Sequence, residues 1–207
     1  MQVEERSIRG VFDQGTRVLH WLTASFMLSV FVLAFLIDLA TLRASHIAFL
    51  QLHRSMGLAV WLLTLFRLAW RLNAKYPDWP SDISETMRAV AKTTEYALYL
   101  LLLLQPILGL VQTNARGERA SLFFLGQLPA LIEKNRPLAQ QLLITHKLVG
   151  FSLLGLIALH VLAALFHHFV RRDDILTAML PAAAAWRTPK PTRDITASPS
   201  LDPTVTE

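Results

Sequence analysis

The chain has 207 residues, of which 53% are hydrophobic and 17% charged, and no cysteine. A soluble domain carries about 25% charge, so this balance points to a membrane. The missing thiols exclude disulfides, iron–sulfur clusters and covalent haem attachment. The formal charge of +5 does not indicate nucleic acid, because the basic residues bracket apolar runs and form no stripe.

A bilayer core takes about 20 mostly apolar residues per helix. Four segments meet this: Val18–Ile37, Leu50–Leu72, Tyr96–Thr113 and Leu142–Val170. The expected fold class is therefore all-α, an integral membrane four-helix bundle. In domain terms, 1–16 is a leading segment, 17–180 the membrane domain and 181–207 a tail rich in Pro, Ala, Thr and Ser that reads as disordered. The first span is read as a retained helix and not a signal peptide, because Glu4, Glu5 and Asp13 precede it and no small-x-small site follows.

In the second span, Arg54 and Arg67 lie near the ends, where long basic side chains reach the interface. Pro106 in the third is tolerable where neighbours take up the freed carbonyl. The fourth is long enough for its last turns to project into water. The two ends and the 67–92 connection hold 13 Lys and Arg, against 7 on the other side. The positive-inside rule then puts both termini in the cytoplasm.

Ionisable residues within spans are functional candidates by default, and the chain has seven histidines. Two stretches repeat the pattern His-basic-x-x-Gly: His53-Arg54-Ser55-Met56-Gly57 and His146-Lys147-Leu148-Val149-Gly150. Each is expected to open a helix entering from the outer side. A residue four places on lies on the same face, so glycine there leaves room for a flat macrocycle. Ala24 and Ala164 stand at that offset from His20 and His160. Arg54 and Lys147 are placed to neutralise propionates or to steer an anion.

Depth selects the pairs. His146 and His160 are fourteen residues apart, or about 21 Å of helix and nearly four turns. His20 and His53 differ in depth by about the same amount. So His53 pairs with His146 near the outside and His20 with His160 near the inside. His46, one heptad before His53, lacks a glycine at plus four and is read as a surface residue in the preceding loop.

Further along, His167 stands seven residues beyond His160 and on nearly the same face. There it is a candidate hydrogen-bonding and proton-delivering group below the inner pair. Trp21 and Arg17 either line a pocket at that end or act as an interfacial belt residue and a topology anchor.

With these pairs in place, the chain resembles the bacterial cytochrome b561 family over about residues 8–181. The stretches that carry the resemblance are Leu19-His20-Trp21-Leu22, the His53 to Gly57 motif with Arg67-Leu68-Ala69-Trp70-Arg71, and Tyr76-Pro77. The others are Gln105-Pro106-Ile107-Leu108-Gly109, His146 to Gly150, and His160 through His167-His168 to Arg172-Asp173-Asp174-Ile175-Leu176. The resemblance implies two haem b groups on His20, His53, His146 and His160, and a quinone site at the cytoplasmic end near His167. It also implies a bacterial inner-membrane location and, as in the best-understood relatives, oxidation of superoxide with ubiquinone as acceptor.

The wider group includes cytochrome b subunits that relay electrons from a partner dehydrogenase, and that alternative stands beside the first. The apolar run Leu122-Phe123-Phe124-Leu125 in the outer loop keeps it open. On the other side of the balance, the outer face holds seven basic and three acidic residues, a net of +4, which would concentrate a small anion such as superoxide. The inner face holds 13 basic and 12 acidic residues. A zinc or copper transporter is a poor fit, because no carboxylate lies mid-membrane to complete a tetrahedral site.

Overall fold

A computed structural model describes residues 12–74, 77, 83–123 and 126–180. The tail read over 181–207 lies outside the described residues, as do 1–11 of the leading segment, Tyr76, Phe124 and Leu125. Four long helices make up nearly all of the rest: α1 (Gln14–Leu39), α2 (Arg43–Arg71), α3 (Glu85–Ala115) and α4 (Arg136–Phe166). Each is long and apolar enough to cross a membrane.

All four start earlier than hydropathy alone predicts, because polar residues at the ends continue the helices. Asp13 caps α1 by accepting from the Thr16 amide at 3.0 Å. Ser84 caps α3 through the Met87 amide at 3.3 Å, and Asn135 caps α4 through the Leu138 amide at 3.1 Å. Such caps satisfy donors that a helix start leaves open.

Two corrections follow. His46 is in the first turn of α2 and not in a loop, although it is exposed as expected; its Nδ1 lies 3.2 Å from the Ile37 carbonyl. His53 and His146 do not open their helices but sit ten residues inside them.

The far end of α4 also differs. A single π turn, His167–Arg171, follows Phe166, and Arg172 then takes a left-handed conformation at φ 57°. The chain does not project onward. It folds back into the short helix α5 (Ile175–Met179). Trp21 Nε1 donates to the Met179 carbonyl at 2.9 Å, and Arg17 donates to the Leu180 carbonyl at 3.1 Å. These two bonds hold the returning segment against α1.

At the same end, Trp70 of α2 lies against Gly15, where any Cβ would collide with its indole ring, and Trp70 Nε1 donates to Asp13 at 2.9 Å. Burial pushes the Asp13 carboxyl up, but bonds from Thr16, Trp70 and the Gly15 amide outweigh it and hold the group below the ordinary carboxylate value.

Packing divides the bundle into two hairpins. Helix α1 lies along α2 and α3 along α4, with a slighter contact between α2 and α3. Among the described residues, α4 makes no extended backbone contact with α1 or α2. Side chains of all four helices meet where Met27, Val30, Val60, Leu102 and Leu153 form the buried core. Leu153 and Val60 are almost completely enclosed, at 0% and 1% exposure.

Candidate functional site

Each of the four paired histidines stands one heptad from that core. Leu153 is midway between His146 and His160, Val60 follows His53 by seven residues, and Met27 follows His20 by seven. A heptad is nearly two turns, or about 10 Å. With the sidedness expected from the charges used as labels, the bundle has an outer polar layer, an apolar middle layer and an inner polar layer.

In the outer layer, the rings of His53 and His146 face each other with centroids 6.3 Å apart, inclined by 78°. In the inner layer, His20 and His160 do the same at 6.3 Å and 57°. His160 is the most open of the four, exposed along the gap, and the other three are half-buried. These are the two pairs that depth suggested.

The spacing can be compared with coordination chemistry. An imidazole nitrogen binds a metal ion at roughly 2.0–2.1 Å, and the ring centre lies about 1.1 Å behind that nitrogen, so two rings on opposite sides of one metal have centres about 6.3 Å apart. Direct hydrogen bonding between rings would draw them closer. The residues present thus fit a group held by one imidazole on each face.

Tautomers and orphaned atoms agree with that fit. His53 Nδ1 lies 3.0 Å from the Val30 carbonyl, which can only accept, so Nδ1 carries the proton and Nε2 keeps a free lone pair. Buried Nδ1 atoms of His20 and His146 have no hydrogen-bond partner among the described residues. Around Gly57 a Cβ would meet nothing within 4 Å, which is open space beside His53.

Gly150 differs from its expected role. The Gln105 side chain fills that space, and its Nε2 donates to the His146 carbonyl at 2.8 Å. The glycine admits an amide there, not a macrocycle.

Gly109 carries a function that the sequence reading missed. A Cβ on it would stand 3.1 Å from His146 Cε1, so this glycine makes room for the ring. The signal was present in Gln105-Pro106-Ile107-Leu108-Gly109, but only the packing assigns it to His146. Gly109→Leu should displace that imidazole and disturb the outer layer alone. An optical spectrum unchanged from the parent would contradict this.

The flanking cations are paired. Arg54 meets Glu118 of the outer loop at 2.5 Å and is largely buried, with its Nη1 left without a partner among the described residues. Lys147 is exposed and lies 3.8 Å from Asp38. Between α2 and the loop, Ser55 Oγ donates to the Ser121 carbonyl and accepts from the Phe123 amide, both at 2.9 Å, so the outer loop is fastened over the outer layer.

At the inner end, His167 Nδ1 lies 2.5 Å from Asp173 Oδ2. Asp173 is 5% exposed, also accepts from the Ile175 amide, and has Arg171 Nε at 3.6 Å. A carboxylate only accepts, so His167 Nδ1 carries the bonding proton and Nε2 is left on the other side of the ring. The Trp21 ring stands edge-on to His20, with centroids 5.5 Å apart.

Residues 11–182 match the family described as prokaryotic cytochrome b561. The chain belongs to the prokaryotic cytochrome b561 family. It is accordingly a transmembrane b-type cytochrome that binds haem b, transfers electrons and crosses the bacterial inner membrane several times. The chain is similar to cytochrome b561 homolog 2 of Escherichia coli K12, with 29% identity across 78% of this chain and 86% of the relative. It is 27% identical to cytochrome b561 homolog 1 of the same organism, over 82% and 97%. It is 31% identical to the probable superoxide oxidase CybB of Yersinia pestis, over 63% and 74%.

Proposed function

We propose that this cytochrome oxidises superoxide at its outer face and reduces ubiquinone at its inner face, using two haem b groups. His53 and His146 would hold the outer haem iron, and His20 and His160 the inner one. The observation that carries this reading is the two imidazole couples, each 6.3 Å between centroids. In this topology both termini are cytoplasmic.

Haem b held by these imidazoles would supply a one-electron centre. The chain's own residues do the rest. Leu153, Val60 and their neighbours exclude water between the two layers. Arg54, with a buried unpartnered Nη1, is suited to a propionate, and Lys147 to an anion arriving from outside.

Each superoxide gives up one electron and leaves as oxygen, while ubiquinone takes two electrons and two protons to become the quinol. At the inner face His167, its Nδ1–H held by Asp173, would in its doubly protonated form donate from Nε2 to a quinone carbonyl and pass it that proton. Arg17 and Trp21 would shape the wall of that pocket by holding the returning α5 segment.

Superoxide as donor is supported by the 31% identity to a probable superoxide oxidase and by the basic outer face. Haem reduction by superoxide should therefore slow as salt rises, because the Debye length falls from about 10 Å at 0.1 M to about 3 Å at 1 M. Replacing Arg54 and Lys147 by Gln together removes two of the outer cations, leaving Glu118 with Arg116 alone, and should slow it further at unchanged haem content. Stopped-flow rates indifferent to both changes, with fast reduction only after a partner dehydrogenase is added, would favour the relay subunit instead.

A further inference from the structure

Counting along α2 by heptads from His53 passes Val60 in the middle layer and arrives at Arg67 in the inner one. Fourteen residues separate His53 and Arg67, the same interval that separates His146 and His160. Helix α3 behaves alike: Gly109 borders the outer pair, Leu102 is in the core, and Glu95 lies one heptad further in. The inner layer therefore holds His20, Arg67, Glu95 and His160, one from each helix. Arg67 is the charged side chain whose field reaches both imidazoles of the inner pair, and Glu95 reaches His160.

The charges within this layer do not cancel evenly. Glu95 is engaged by Arg71, which donates to it through both terminal nitrogens. Arg67 has no carboxylate within ion-pair distance among the described residues. Its guanidinium lies over the buried Tyr99 ring, 5.3 Å from the centroid, and Arg71 faces the same ring at 5.7 Å. A cation half-buried in a membrane helix ordinarily finds an anion or reaches water. An aromatic face is a partial substitute worth less than a carboxylate. Here the face also holds the guanidinium at the level of the inner histidines.

We propose that Arg67 binds the propionate carboxylates of the inner haem and sets how readily that centre is reduced, Tyr99 being the platform that aims it. The inference rests on the reading that His20 and His160 hold a haem. Arg67 is the inner counterpart of Arg54, which stands beside His53 in the outer layer. The direction of its effect follows from charge: a fixed cation stabilises the reduced centre, which carries one positive charge fewer. A unit charge about 10 Å away at an effective dielectric constant of about 20 changes such an equilibrium roughly tenfold.

The test is a spectroelectrochemical titration of the purified full-length cytochrome in nanodiscs of phosphatidylcholine alone, with haem content measured in parallel. Arg67→Gln should make the inner haem about tenfold harder to reduce, about 59 mV lower for a one-electron couple. The outer haem should be unmoved, and Arg67→Lys should keep most of the parent value. An inner potential equal to that of the parent would overturn the proposal and leave Arg67 as a stacked interfacial anchor. A shift that appears only when anionic lipid is added would overturn it too, by assigning Arg67 to a headgroup phosphate. His160→Ala separates this from the underlying reading: if that variant keeps two low-spin haems, the ligand assignment fails, whatever Arg67 does.

Discussion

His146→Ala should yield a protein with half the parent haem, or with one haem turned high-spin, while the other centre keeps its low-spin spectrum. The reason is geometric. His53 alone cannot hold an iron on two faces, and no other imidazole stands at that level: the next on α4 is His160, two heptads away. His53→Ala should give the same result, and combining the two should add nothing, because each removes the same centre. His20→Ala and His160→Ala should form the second such set. Haem per chain by pyridine haemochrome, together with electron paramagnetic resonance, distinguishes these outcomes. Two low-spin haems surviving in His146→Ala would defeat the outer assignment.

The second large effect is expected at His167. His167→Ala should leave both haems in place and lower quinol formation by about 100-fold, the low end of what a positioned acid–base group contributes. The imidazole lies a further heptad inward from His160 and is bound to Asp173, not directed at its neighbour's ring. Asp173→Asn should cost less, because an amide can accept or donate and so only loosely fixes which nitrogen of His167 carries the proton. Haem loss in His167→Ala would show that the residue belongs to the inner centre itself. Quinone reduction at the parent rate would remove it from the acceptor site.

Much of this arrangement was legible because membrane helices obey one rigid ruler. Fourteen residues between His146 and His160 fix a distance and a face, and the companion residues on α1 and α2 follow from the same rise per residue. The ruler fails where the chain stops being an ordinary helix or where partners are distant in sequence. His46 was misplaced because Leu42 offers no side-chain cap and the turn after it is polar, so nothing in the hydropathy marks a helix start at Arg43. The π turn after Phe166 has no apolar signature either, and without it the return of α5 toward Arg17 and Trp21 could not be foreseen. The pairing of Arg54 with Glu118 joins residues 64 positions apart, and only the folded loop brings them together. Gly150 was given the space that Gln105 occupies, because the repeat with Gly57 suggested a symmetry that packing does not keep.

The middle layer has an electrical meaning. Its apolar residues separate two polar layers by about 21 Å, roughly two thirds of a hydrocarbon core about 30 Å thick. Any charge carried from one layer to the other therefore crosses about two thirds of the membrane voltage, at a cost of about 1.5 kcal/mol for every 100 mV. In the proposed topology, with the cytoplasm negative and both termini inside, that voltage would oppose inward electron flow. An energised membrane would slow the protein and a discharged one would release it, so Leu153 and its neighbours make turnover answer to the voltage of the cell.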